Sequence, residues 1–265
     1  MGIRVSKPPE HMGQDRELRG RTALITGAVR RIGRAMALAL ADEGANIVVH
    51  ARSSEEKARL LCDELEQKGV KSYPMVAELE REEEYGTLIE RSINAAGPLD
   101  ILINNASMIH SGEIWRVDFE SLSKHIKVNA WAPFALSRDF ARLAKKGKII
   151  NLLDSGISGY DFGHVAYILS KHVLWVLTKM TAVQFAPDIT VNGISPGLIL
   201  PPASKDVSSL FPARVNRVPL KRRGTPEDIA RAAVYLAKSN YMTGEVMNVD
   251  GGLHLMEHGE WINLP

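Results

Sequence analysis

With 265 residues, 45% of them hydrophobic, the chain is long enough to bury one large α/β core or two small ones. Its 33 Lys and Arg against 31 Asp and Glu leave a net charge of +2, which excludes the strongly basic character of a general nucleic-acid binder. The single cysteine, Cys62, excludes an intramolecular disulfide and points to a reducing, cytoplasmic setting, and no apolar run reaches the length of a membrane span.

Residues 1–19 are polar and lack the apolar segment of a secretory signal, so they are expected to form a flexible extension ahead of a single domain over 20–265. Residues 22–26 (TALIT) predict a short buried strand, and GAVRRIG then leads into a helix over 34–42. That order makes a phosphate cradle: Gly27 permits a tight turn, Gly33 permits close backbone approach, and the helix start offers free N–H groups. The next strand, 46–50 (NIVVH), runs into Ala51, Arg52, Ser53 and Ser54, where a cofactor lacking a 2′-phosphate would meet an acid. Arg52 and Ser53 favour NADPH instead, and either serine can also cap the helix that follows.

Residues 55–68 predict a helix, 71–75 a strand and 82–96 a second helix closed by Gly97. A strand over 99–103 ends in Asn104, Asn105, Ala106 and Ser107, small and amide residues that suit the floor under a flat ring. The long helix expected over 119–143 carries Asn129, which either satisfies backbone groups or holds a water in a proton relay.

Residues 149–153 predict another buried strand, ending at Asp154. After a glycine-rich connection come Tyr167 and Lys171, spaced to share one helix face. A nearby ammonium favours the phenolate, so the pair with Asp154 forms a plausible proton-delivery device, although the spacing alone also fits a packed Tyr and an exposed Lys. A strand over 189–194 leads to Ser195, Pro196 and Gly197, and the weakly periodic stretch 198–219 is expected to be a substrate lid. Thr225 and Pro226 start a helix, and 244–249 supply the last strand. His254 and His258 share a helical spacing but lack a third ligand, so no metal is expected. Strands and helices alternate throughout, as in one doubly wound parallel sheet with its chemistry at the strands' carboxyl ends.

Taken in order, TGAVRRIG, NNAS, Asn129, YILSK and SPG resemble the short-chain dehydrogenase/reductase family over residues 20–254. The resemblance implies a single-domain Rossmann fold with a seven-stranded parallel sheet flanked by helices, in a homotetramer. It implies that Tyr167 is the proton donor, that Lys171 holds the nicotinamide ribose and lowers the phenol's pKa, and that Asn129 anchors a relay water. Cofactor contacts are implied at Gly27, Arg30, Arg31, Ile32 and Gly33, and around the adenosine at His50, Arg52, Ser53, Glu78 and Leu79. Glu78 stands where the family usually has Asp. Asn105, Ala106, Ser107, Pro196, Gly197 and Leu198, with Tyr167 and Lys171, would line the nicotinamide half.

Two departures point to a branch. Most members have Gly at the position of Arg31 and Ser at that of Asp154, thirteen residues before Tyr167. Both changes resemble the pteridine reductases and dihydromonapterin reductases, which use NADPH. Arg31, Ser107, Ile109, Asp154 and Tyr167 would then surround the substrate, and an acid beside the phenol suits reduction of a C=N bond. Ile109 stands where the branch places a stacking aromatic, a loss of about 1 kcal/mol of specific contact. Trp115, Tyr160, Phe162 and His164 are the candidates to compensate. The expected function is thus an NADPH-dependent reductase of dihydropterin or dihydrofolate-type rings. The alternatives are a carbonyl reductase acting on 3-oxoacyl thioesters or sugars, and a non-catalytic NADPH-binding regulator.

Overall fold

Short apolar runs pair in parallel because each can bury both of its faces. Leu24, Val48, Leu102 and Ile149 pack into one apolar cluster, while their neighbours Ile25, Val49, Ile103 and Ile150 pack into the cluster on the other side. This two-residue alternation places a core on each face of the sheet. In the computed structural model, residues 17–159, 161–200 and 211–256 are described. The strands are β1 (Thr22–Ile25), β2 (Asn46–Ala51), β3 (Ser72–Val76), β4 (Ile101–Asn104), β5 (Gly147–Leu152), β6 (Ile189–Pro196) and β7 (Val246–Val249). They form one seven-stranded parallel sheet in the order β3-β2-β1-β4-β5-β6-β7. The order reverses between β1 and β4, so a crevice opens at their carboxyl ends.

The helices are α1 (Arg31–Asp42), α2 (Glu55–Glu66), α3 (Glu82–Tyr85), α4 (Leu88–Ala96), α5 (Phe119–Ile126), α6 (Ala132–Ala144), α7 (Val165–Gln184), α8 (Phe211–Arg217) and α9 (Pro226–Lys238). Met36 and Leu40 of α1, Leu65 of α2 and Ile229 and Leu236 of α9 cover one face. Leu88 of α4 and Leu136 and Phe140 of α6 cover the other. Among the described residues, no helix is long and apolar enough to cross a membrane.

The structure corrects several expected boundaries. The helix expected over 82–96 is broken at Gly86 and Thr87, giving α3 and α4. The one expected over 119–143 is interrupted by a π turn over Lys127–Trp131. Pro133 near the start of α6 has no N–H to give the Asn129 carbonyl four residues back, so an α ladder cannot run through this point.

Leu18, within the stretch expected to be a flexible extension, is buried against the core, and its N–H bonds the Glu43 carbonyl at 3.1 Å. Residues 1–16 lie outside the described residues, as do 201–210 of the expected lid. Of the rest of that lid, 211–217 form α8 and Val218 is buried, while 198–200 carry neither helix nor strand.

Candidate active site

The turn between β1 and α1 has a backbone that only glycine fits well. Gly27 has a φ of +63°, and a Cβ on Gly33 would lie 2.3 Å from the Gly27 carbonyl oxygen. Helix α1 therefore rides directly on the turn. Its N-cap residue, Arg30, makes no side-chain cap and its first turn carries no acid, so the helix start suits a phosphate group. Arg31 adopts a φ of +54°, a conformation that costs a non-glycine residue about 1–2 kcal/mol. It is exposed at the mouth of this cradle, followed by half-buried Ile32. This fit between uncapped N–H groups and a glycine cradle matches what a dinucleotide pyrophosphate requires.

Thr26, which the sequence did not single out, holds the cradle together with Asn105. Thr26 Oγ1 accepts the N–H groups of Asn105 and Ala106, each at 2.9 Å. Asn105 Nδ2 donates to the carbonyls of Thr26 and Gly27 at 2.8 and 3.2 Å. The ring of His50, a predicted cofactor contact, is buried between Gly27 and Ala77 and bonds both. The Leu79 side chain packs in the core beside Tyr85 and Leu88.

At the ends of β2 and β3, Arg52 forms an ion pair with Glu78, with the arginine exposed and the acid largely covered. Glu78 is further tied through its own N–H, which donates to Glu84 at 2.7 Å. Of the two candidate caps, Ser54 caps α2 by accepting the Lys57 N–H, leaving Ser53 exposed.

On the other side of the crevice, the Asn129 side chain is fully engaged. Its Oδ1 accepts from Ser107 Oγ at 3.1 Å and from the Met108 N–H at 2.8 Å, while Nδ2 donates to the Met108 carbonyl and to Ser170 Oγ, both at 2.9 Å. The side chain thus satisfies both backbone groups of Met108. It fixes the segment carrying Ser107 and Ile109, both exposed. His125 adds a second tie, accepting the His110 N–H at 3.3 Å.

At the end of β5, Asp154 Oδ1 accepts the Gly156 N–H at 2.8 Å and Oδ2 accepts the Tyr167 hydroxyl at 2.7 Å. Acid and phenol are half-buried, whereas Lys171 is buried and donates to the Leu152 carbonyl at 2.7 Å. Desolvation raises the Asp154 carboxyl above its usual range, against the pull of Gly156, Tyr167 and Lys171. Burial and the facing carboxylate hold the Tyr167 phenol well above its ordinary value. The expected depression of the phenol by Lys171 is therefore overturned in this arrangement. The lysine nitrogen sits 5.8 Å from the ring centre and points to a carbonyl, and its own pKa falls to about 8 through burial.

Asp161 forms a second acid near this pair, accepting from His164 Nδ1 at 3.0 Å, and its charge bears on both Asp154 and Tyr167. Of the rings expected to compensate for Ile109, Trp115 is 93% exposed, His164 is bound to Asp161, and Phe162 is exposed. Tyr160 lies outside the described residues. So does His258, and His254 bonds Asp250. Among the described residues there is no cluster able to hold a metal.

At the end of β6, a Cβ on Gly197 would meet the Asp250 Cα at 2.6 Å, which explains the glycine after Pro196. Leu198 continues this edge, and its carbonyl accepts the Gly224 N–H at 3.0 Å.

A model of the family described as enoyl-(acyl carrier protein) reductase matches residues 27–254. A 3-oxoacyl-[acyl-carrier-protein] reductase of Staphylococcus epidermidis is 32% identical over 89% of this chain and 99% of its own. Among solved structures, FolM alternative dihydrofolate reductase 1 from Brucella canis, complexed with NADP, superposes with a TM-score of 0.84 at 28% identity, covering 93% of this chain and 99% of that one. The angucycline C-6 ketoreductase LanV with bound NADP gives a TM-score of 0.84 at 28% identity, covering 90% of this chain and 97% of that one. With the glycine cradle, the Tyr167 and Lys171 pair and the parallel sheet in place, these matches make the chain a member of the short-chain dehydrogenase/reductase family.

Proposed function

We propose that the protein is an NADPH-dependent reductase of C=N bonds in dihydropterin or dihydrofolate-type rings. The observation that carries this reading is the Asp154 carboxyl within 2.7 Å of the Tyr167 hydroxyl, at a position where most of the family has a serine. The NADP complexes of similar fold support the cofactor, and the FolM dihydrofolate reductase among them supports the substrate class. Gly27, Arg30, Arg31 and Gly33 would hold the pyrophosphate, and Arg52 and Ser53 the 2′-phosphate. The bound cofactor supplies the hydride.

The residues of this chain manage the proton. If Asp154 were ionised when Tyr167 gave up its proton, a phenolate would be left beside a carboxylate, which is unfavourable. The raised Asp154 pKa avoids this, since a protonated acid passes a proton through the phenol to the ring nitrogen and leaves a single negative charge facing Lys171. Turnover should thus fall as pH rises through the raised pKa of Asp154.

A second reading, a carbonyl reductase, is favoured by the 32% identity to a 3-oxoacyl reductase and by the aliphatic Ile109. A steady-state assay with dihydrobiopterin, dihydromonapterin and dihydrofolate tests the first. NADPH oxidation with at least one supports it, and none with any rejects it.

The exposed stripe of Leu169, Val173, Val176, Met180 and Val183 along one face of α7 supports a homotetramer in which another copy covers it. A single buried Cys62 fits a cytoplasmic setting.

A further inference from the structure

We propose that His50 is a cofactor-positioning residue, which fixes the shape of the phosphate-binding turn without itself touching the cofactor. The inference rests on the NADPH reading above. The His50 ring is 1% exposed, and each of its nitrogens bonds the main chain of a different loop. Its Nδ1 lies 3.1 Å from the Gly27 nitrogen, whose N–H can only donate, so Nδ1 is the acceptor. Its Nε2 lies 2.9 Å from the Ala77 carbonyl, which can only accept, so Nε2 carries the proton. The His50 carbonyl also takes the Ala28 N–H at 3.0 Å.

One side chain thereby joins the ends of β1, β2 and β3, the half of the crevice that an adenosine and its phosphates would occupy. Only the neutral Nε2–H tautomer makes both bonds. Burial favours that form, holding the imidazole pKa down to about 4, with Arg91 nearby acting in the same direction and Glu78 and the Ala77 bond against it. Losing the acceptor would leave the Gly27 N–H unpaired beneath a turn already confined by Gly33, so the cost should fall on cofactor affinity.

The test compares His50→Leu, which removes both bonds, with His50→Asn, whose Oδ1 can replace Nδ1 but whose amide cannot reach Ala77. NADPH dissociation constants come from fluorescence titration, and single-turnover hydride transfer is measured at saturating NADPH. The expected result is a Kd raised about tenfold in His50→Leu, a smaller rise in His50→Asn, and a transfer rate close to wild type in both. In the wild-type protein, long-range ¹H–¹⁵N spectra of the imidazole should show the neutral Nε2–H form at pH 7.

An unchanged Kd in folded His50→Leu, or an Nδ1–H tautomer in the wild type, would overturn the proposal. If His50→Leu does not fold, an unchanged Kd in His50→Asn together with the wrong tautomer overturns it equally. Failure of the wild-type protein to bind NADPH would instead strike the cofactor reading on which it rests.

Discussion

Replacing Tyr167 by Phe is expected to lower the rate of hydride transfer by about a thousandfold, within the range that general-acid catalysis contributes. The ring and its packing in α7 would remain; only the hydroxyl that reaches Asp154 at 2.7 Å would go. Asp154 would lose a donor that favours its charged form, so its pKa should climb further. Affinity for NADPH should change little, because the glycine cradle and Arg52 belong to the other half of the crevice. Stopped-flow single turnovers give the rate, and a fluorescence titration gives the affinity. A variant that retains more than about a tenth of the wild-type rate would show that the phenol is not the proton donor.

Asp154→Ser is expected to separate the two candidate substrate classes. It restores the side chain that most of the family carries, and a serine hydroxyl can still bond Tyr167, so reduction of a ketone should survive or improve. Reduction of a dihydropterin should fall about a hundredfold or more, since the acid that refills the phenol is gone. The pH profile adds a second mark. The decline attributed to the raised Asp154 pKa should disappear in the variant, whereas a purely structural role for Asp154 would leave the profile's shape unchanged. Full dihydropterin activity in Asp154→Ser would show that the acid does not supply the proton.

Much of the fold was legible because it rests on local pattern. The short runs around Leu24, Val48, Leu102 and Ile149 read as strands buried on both faces, and their alternation between two cores is the reason. The spacing of Tyr167 and Lys171 placed both on one helix, and Asp154 fell at a strand end as expected. What stayed hidden depends on contacts between distant residues. Nothing in TALIT announces that Thr26 will accept two N–H groups from the far end of β4.

Nor does NIVVH reveal that His50 turns inward to the glycine turn. The phenol's pKa was misread for the same reason. Sequence spacing brings an ammonium near Tyr167, but burial and the Leu152 carbonyl decide where that charge points. The break at Asn129 was in principle readable, since Pro133 cannot serve a carbonyl four residues earlier.

The most direct test is a crystal structure of the protein with NADP⁺ and a dihydropterin bound together. The expected arrangement stacks the ring on the nicotinamide, with a ring nitrogen within hydrogen-bond reach of the Asp154 and Tyr167 pair and Ile109 against its open face. A pterin that stays outside the crevice, or one that binds with its reducible C=N bond turned away from Asp154, would contradict the assignment.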